Sequence, residues 1–167
     1  LLEMTTQGDE RLDVSLTKIG GKGVFVKELE TALYDRRADL AVHSLKDVPM
    51  ELPGGLDLCC LTARETPTDA VVHRTGTQAW DGFADIPQGA HLGTSSLRRI
   101  AQIRALRPDL KLSPVRGNLG TRLKKLDSGE FDGLVLASAG LKRLELGDRV
   151  AFETAPEEIL PACGQGI

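Results

Sequence analysis

The chain has 167 residues, 41% of them hydrophobic and 27% charged, which suits a globular protein with enough apolar side chain for a real core. Aromatics make up only 4%, so that core must be aliphatic. No apolar run approaches the roughly 18 residues of a bilayer span, Leu1-Leu2-Glu3-Met4 carries no signal-peptide pattern, and Cys59, Cys60 and Cys163 offer neither metal-ligand spacing nor a disulfide framework.

Taken in chain order, apolar runs alternate with amphipathic stretches, the pattern of an α/β fold. A strand is expected at 2–6, then a helix over 25–36 with Phe25, Leu29, Ala32 and Leu33 on one face. Strands at 40–43 and 56–61 follow, the second carrying Cys59-Cys60 as small buried hydrophobes. Polar residues 64–69 break the pattern and read as a crossover between lobes. Beyond them come a strand at 70–73, a helix at 97–106 stopped by Pro108, and a strand at 110–114. Asn118 is a good N-cap for a helix reaching Gly129. A strand at 134–136, a short helix at 139–144 and a strand at 150–153 complete the series. Residues 156–161 read as a second crossover, returning the chain to the first lobe.

Two segments echo each other. Leu33-Tyr34-Asp35-Arg36-Arg37-Ala38-Asp39 and Leu126-Asp127-Ser128-Gly129-Glu130-Phe131-Asp132 each end a helix and place an Asp at the head of an apolar run. With the βα order, this favours two similar lobes over one continuous sheet.

The net charge of −3 hides an asymmetry. Residues 98–125 hold nine Lys or Arg against the single acid Asp109, a net +8, so the remainder carries −11. A solvated helix face is one explanation and nucleic acid another, but stacking aromatics are missing and the whole chain is acidic. Three loops before helices point instead to a small anion: Gly20-Gly21-Lys22-Gly23, Gly93-Thr94-Ser95-Ser96 before Arg98-Arg99, and Arg116-Gly117-Asn118 before Arg122. Helix N-termini present unpaired N–H groups and a positive dipole end, so arginines there are unfavourable unless an anion docks. Each glycine also serves as a plain turn residue, and none of these loops is a nucleotide fingerprint.

Asp47 follows the expected strand at 40–43, with Lys46 and Ser44 beside it and Pro49 closing the loop. Strand ends in open sheets deliver functional residues. A carboxylate among arginines accepts or returns protons and stabilises a developing cation, while a turn-capping Asp remains the plain alternative. His43, His73 and His91 make no ligand set, and no metal site is expected.

With His43-Ser44-Leu45-Lys46-Asp47-Val48-Pro49, Gly93–Arg99, Arg116-Gly117-Asn118-Leu119-Gly120-Thr121-Arg122, Ala139-Gly140-Leu141-Lys142-Arg143-Leu144 and Leu160-Pro161-Ala162-Cys163-Gly164-Gln165-Gly166 in order, the chain resembles the hydroxymethylbilane synthase (porphobilinogen deaminase) family. Gly8-Asp9 and the run 20–30 belong to the same series of motifs. The resemblance implies a cytoplasmic transferase of tetrapyrrole and heme biosynthesis, monomeric at full length, that condenses four porphobilinogens into hydroxymethylbilane with release of ammonia. It implies two lobes like type II periplasmic binding proteins, 1–63 with 161–167 and 64–160, around a hinged cleft.

By resemblance Asp47 is the catalytic aspartate. Arg98, Arg99, Arg116, Arg122 and Arg143 bind acetate and propionate groups of cofactor, substrate or growing oligopyrrole. Ser44, Lys46, Thr94, Ser95 and Ser96 line the cleft, Lys22 lies in a loop near it, and Gln165 lies in a hinge-side motif. The resemblance also implies a dipyrromethane cofactor bound through a cysteine of a third domain beyond Ile167, and a first strand and helix before Leu1. Neither is in this chain, so these residues alone are expected to hold no covalent cofactor and to be inactive. A hinged, non-catalytic receptor for a small polycarboxylate is the alternative that the same loops would serve.

Overall fold

A computed structural model describes residues 1–4, 26–77 and 80–167. The chain divides into two units, Leu1–Ala63 with Ile167, and Arg64–Gly166.

In the first unit, α1 covers Lys27–Tyr34 and buries Ala32. The helix expected over 25–36 is therefore shorter, and Phe25 lies outside the described residues. Its exit passes through Arg36, which has a left-handed φ of 55°. The N–H of Arg37 and that of Ala38 both reach back to Ala32 O. A 3-10 turn at Leu45–Asp47 follows.

No strand occurs among the described residues of this unit. That corrects the expectations at 40–43 and 56–61, and at residues 2–4 of the expected strand 2–6; its Thr5 and Thr6 lie outside the described residues. Without ladder partners among those residues, the apolar side chains stay in solvent: Leu40 is 70% and Val42 98% exposed. The same cause overturns the expected burial of Cys59 and Cys60, which are free and exposed.

The second unit is a five-stranded mixed sheet, β1 Asp69–His73, β2 His91–Gly93, β3 Lys111–Ser113, β4 Gly133–Ala137 and β5 Val150–Glu153, in the order β3-β2-β4-β1-β5. β2 runs parallel to β3 and β4, while β1 is antiparallel to β4 and β5. Strand β4 and residues 70–72 of β1 are apolar because both faces of the sheet are covered there. One face packs Val71, Leu92 and Val135 against Ile103 of α2, Leu97–Leu106. The other packs Ala70, Val72, Leu134 and Leu136 against Leu123 and Leu126 of α3, Leu119–Asp127, and Leu141 of α4, Ser138–Arg143.

Helix α2 has the bounds its pattern predicts, but Leu97, Ile100 and Ala101, which the sequence aligns on one face, do not form its buried side. Leu97 is exposed, and the buried stripe is Arg99 and Ile103. Strand β2 was not predicted, since Leu92 is its one large apolar residue. Gly93 at its end is required by packing: a Cβ there would lie 2.6 Å from Leu134 Cδ2.

Candidate functional site

The ladder brings chemistry to one edge of the sheet in the second unit. Asp69 at the head of β1 pairs with Ala137 at the end of β4, and Glu153 at the end of β5 pairs with Ala70. Gly93 and Ser113 end β2 and β3 side by side. Parallel strands thus release their loops, 94–96 and 114–118, at the carboxyl edge where open α/β sheets carry functional residues.

Each loop feeds a helix. Thr94, almost fully buried, donates its N–H to Ser113 O at 2.9 Å and accepts Ser96 N at 3.3 Å on Oγ1. Ser95 Oγ ties the two loops together, donating to Val115 O at 2.7 Å and accepting Val115 N at 3.1 Å. Ser96 caps α2, accepting Arg99 N at 3.4 Å. Asn118 caps α3 through Thr121 N at 2.9 Å, after Gly117 turns the chain at φ 108°. Ser96 and Ser95 are therefore partly committed to structure.

The arginines divide by partner. Arg99, 7% exposed, bonds Asp69 Oδ1 at 2.7 Å and Val135 O at 2.9 Å. Arg98 bonds Asp69 Oδ2 at 2.7 Å and Leu160 O. Arg122 Nε donates to Gly117 O at 2.7 Å, and Arg143 donates to Gly166 O at 2.8 Å. Arg116 and Arg122 are half-buried and Arg143 exposed. Gln165 is buried, its Nε2 directed at Pro67 O, Thr68 O and Asp69 Oδ1.

Asp69 was missed in the sequence, where it reads as the last residue of a polar crossover. Enclosure pushes its carboxyl pKa up, but hydrogen bonds and charge from Arg99, with Gln165 and Arg98, outweigh this and hold it below the ordinary carboxylate value. The available signal was an acid heading an apolar strand, with an arginine pair further along the chain that has no acid beside it.

In the first unit, Asp47 ends the 3-10 turn and is exposed, its N–H donating to Ser44 O at 3.0 Å. Ser44 is exposed and Lys46 half-buried. The turn is tied down by Leu45 N on Ile167 O at 3.1 Å. Lys22 lies outside the described residues. At the opposite edge of the sheet in the second unit, a cavity of about 640 Å³ is lined by Arg74, Trp80, Asp81, Asp85 and Asp132, among others. None of the expected site residues lines it.

Comparison with known proteins decides the family. The family model described as "Porphobilinogen deaminase, dipyromethane cofactor binding domain" matches residues 1–167. The chain belongs to the porphobilinogen deaminase family. It is 61% identical over 166 residues to the porphobilinogen deaminase of Albidiferax ferrireducens, covering 99% of this chain and 51% of that protein. It is 60% identical to that of Chromobacterium violaceum, over 99% and 52% of the respective chains. The chain thus spans about half the length of the curated porphobilinogen deaminases it matches.

A solved Salmonella typhimurium periplasmic binding protein, described as having high arginine specificity, aligns at TM-score 0.43 and 16% identity, over 58% of this chain and 46% of that one. Among the described residues no helix is long and apolar enough to cross a membrane, and no group of three or more His, Cys, Asp or Glu gathers to hold a metal.

Proposed function

We propose that this chain is the pyrrole-handling part of a transferase that condenses four porphobilinogens into hydroxymethylbilane with release of ammonia. The observation carrying this reading is the carboxyl edge of the sheet in the second unit, where parallel strand ends deliver hydroxyls and guanidiniums together. Every pyrrole of such a product bears carboxylate side chains, and planar guanidinium forks suit them better than ammonium groups do.

A dipyrromethane cofactor fits this donor set, since its rings carry the same acetate and propionate groups. Arg98, Arg116, Arg122 and Arg143, with Thr94, Ser95 and Ser96, are the residues proposed to hold those carboxylates. When bound, the cofactor supplies the terminal pyrrole to which the first new ring is joined. The cysteine that attaches it is assigned to a further domain, not to Cys59, Cys60 or Cys163. Residues 1–63 with 161–167 and residues 64–160 are proposed as two domains of the full protein, a cytoplasmic monomer.

Asp47 is the proposed catalytic carboxylate. Its carboxylate accepts the pyrrole N–H of porphobilinogen while the protonated aminomethyl group leaves as ammonia. The ring nitrogen's electron pair moves into the breaking C–N bond's carbon, giving an azafulvene-like cation that the carboxylate stabilises. Attack by the next pyrrole carbon forms the C–C bond, and the proton lost from that carbon is taken by the same carboxylate and passed to solvent.

The test uses this chain joined to the remaining length found in its relatives. Asp47→Asn is expected to lower kcat by roughly 100-fold or more while leaving porphobilinogen binding little changed. Wild-type turnover in that variant would favour a non-catalytic receptor. As a companion measurement, the 167 residues alone are expected to give no Ehrlich colour for a dipyrromethane and to consume no porphobilinogen.

A further inference from the structure

Asp69 belongs to none of the motifs that carry the family resemblance, yet several segments of the second unit converge on it. Its side chain is fully enclosed. Oδ1 takes Arg99 at 2.7 Å and Gln165 Nε2 at 2.8 Å, and Oδ2 takes Arg98 at 2.7 Å. Its backbone carbonyl accepts Thr154 N at 2.8 Å. Two cations share one anion, so the cluster keeps a net charge of +1 and still attracts an anionic ligand.

The two arginines are not equivalent. Arg99 is 7% exposed and braced between Asp69 and Val135 O. Arg98 retains 24% side-chain exposure, and its bonds to Asp69 and Leu160 O use two of the five N–H donors a guanidinium carries.

We infer that Asp69 is a positioning residue, fixing the Arg98 guanidinium so that its remaining donors meet a pyrrole carboxylate, with Arg99 as an internal brace. This rests on the reading of Arg98 as a carboxylate ligand. A guanidinium already held in place is not ordered at the ligand's expense, which raises affinity without adding a contact. Gln165 completes the device by fixing the carboxylate itself against residues 67–69.

The test is an NMR titration of the 167-residue chain with porphobilinogen and with its dimethyl ester, well below the melting temperature. The wild-type chain is expected to prefer the free acid roughly tenfold. In Asp69→Asn that preference should fall to within about twofold, and Asp69→Glu should restore part of it. A purely structural Asp69 would lower the melting temperature and leave the preference intact, which overturns the proposal. Should Asp69→Asn fail to fold, Gln165→Met keeps the carboxylate and removes one of its fastening donors. Its preference should drop about threefold, and no drop overturns the proposal equally. A wild-type chain that binds both probes alike removes the arginine reading, and this one with it.

Discussion

At Asp69, burial raises the carboxyl pKa while Arg99, Gln165 and Arg98 lower it more, so the folded protein holds the ionised form. Asp109 is brought to about 2, chiefly by the hydrogen bond from Arg107. Both folded values lie below the unfolded one of 3.8. Their stabilisation is therefore complete above about pH 4 and is withdrawn as pH falls through the lowered values. Asp69→Ala leaves Arg99 buried without its partner and should cost roughly 3–5 kcal/mol at neutral pH, read from urea midpoints. The same variant should lose less of its stability between about pH 4 and pH 2 than wild type does; an unchanged acid limb would refute the assignment. The sequence showed the arginines of this cluster but not their anion. Thirty residues separate Asp69 from Arg99, and only strand pairing brings the head of β1 beside the first turn of α2.

The two echoing segments turn out to share three matching backbone bonds at the helix exit. After α1, Asp35 N reaches Thr31 O, Arg36 N reaches Leu33 O and Arg37 N reaches Ala32 O. After α3, Ser128 N reaches Lys124 O, Gly129 N reaches Leu126 O and Glu130 N reaches Lys125 O. The left-handed residue is Arg36 in the first and Gly129 in the second, at φ 55° and 84°. Glycine relieves the left-handed penalty of ~1–2 kcal/mol at some entropic cost. Arg36→Gly should therefore stabilise the chain by about 0.5–1 kcal/mol, and Gly129→Ala should destabilise it by about 1–2 kcal/mol, both measured by denaturant unfolding. Equal signs for the two variants would contradict the shared geometry. Local signals of this kind were legible: the Asn118 cap, the stop at Pro108, the apolar runs of β1 and β4. What local pattern cannot supply is a ladder. Residues 40–43 and 56–61 have the composition of strands yet pair with nothing among the described residues, while β2 pairs on both sides with little composition to show for it.

At the scale of the molecule, the basic stretch 98–125 is explained by where its parts fall. It runs through α2, β3 and α3, which flank the edge carrying the hydroxyl loops. Arg107 is nevertheless spent elsewhere, on Asp109 and on the carbonyls of Phe83 and Ile86, so an excess of charge in sequence overstates the charge offered to a ligand. The family was legible from ordered motifs, and the α/β class from periodicity. Which arginines are internally bonded depends on tertiary partners such as Asp69, Val135 and Gly166, far away in the chain.

Glu65 N donates to Gly166 O at 3.0 Å, and Arg64 Nε donates to Gln165 O at 3.0 Å. The second unit thus enters and leaves by neighbouring backbone, like a loop of rope held at one knot. Such a piece can be excised, or grafted into a surface turn of an unrelated carrier, without spreading its ends. Residues 64–166 expressed by themselves should unfold in one sharp urea transition, whereas a gradual, featureless loss of ellipticity would show that the knot does not hold alone.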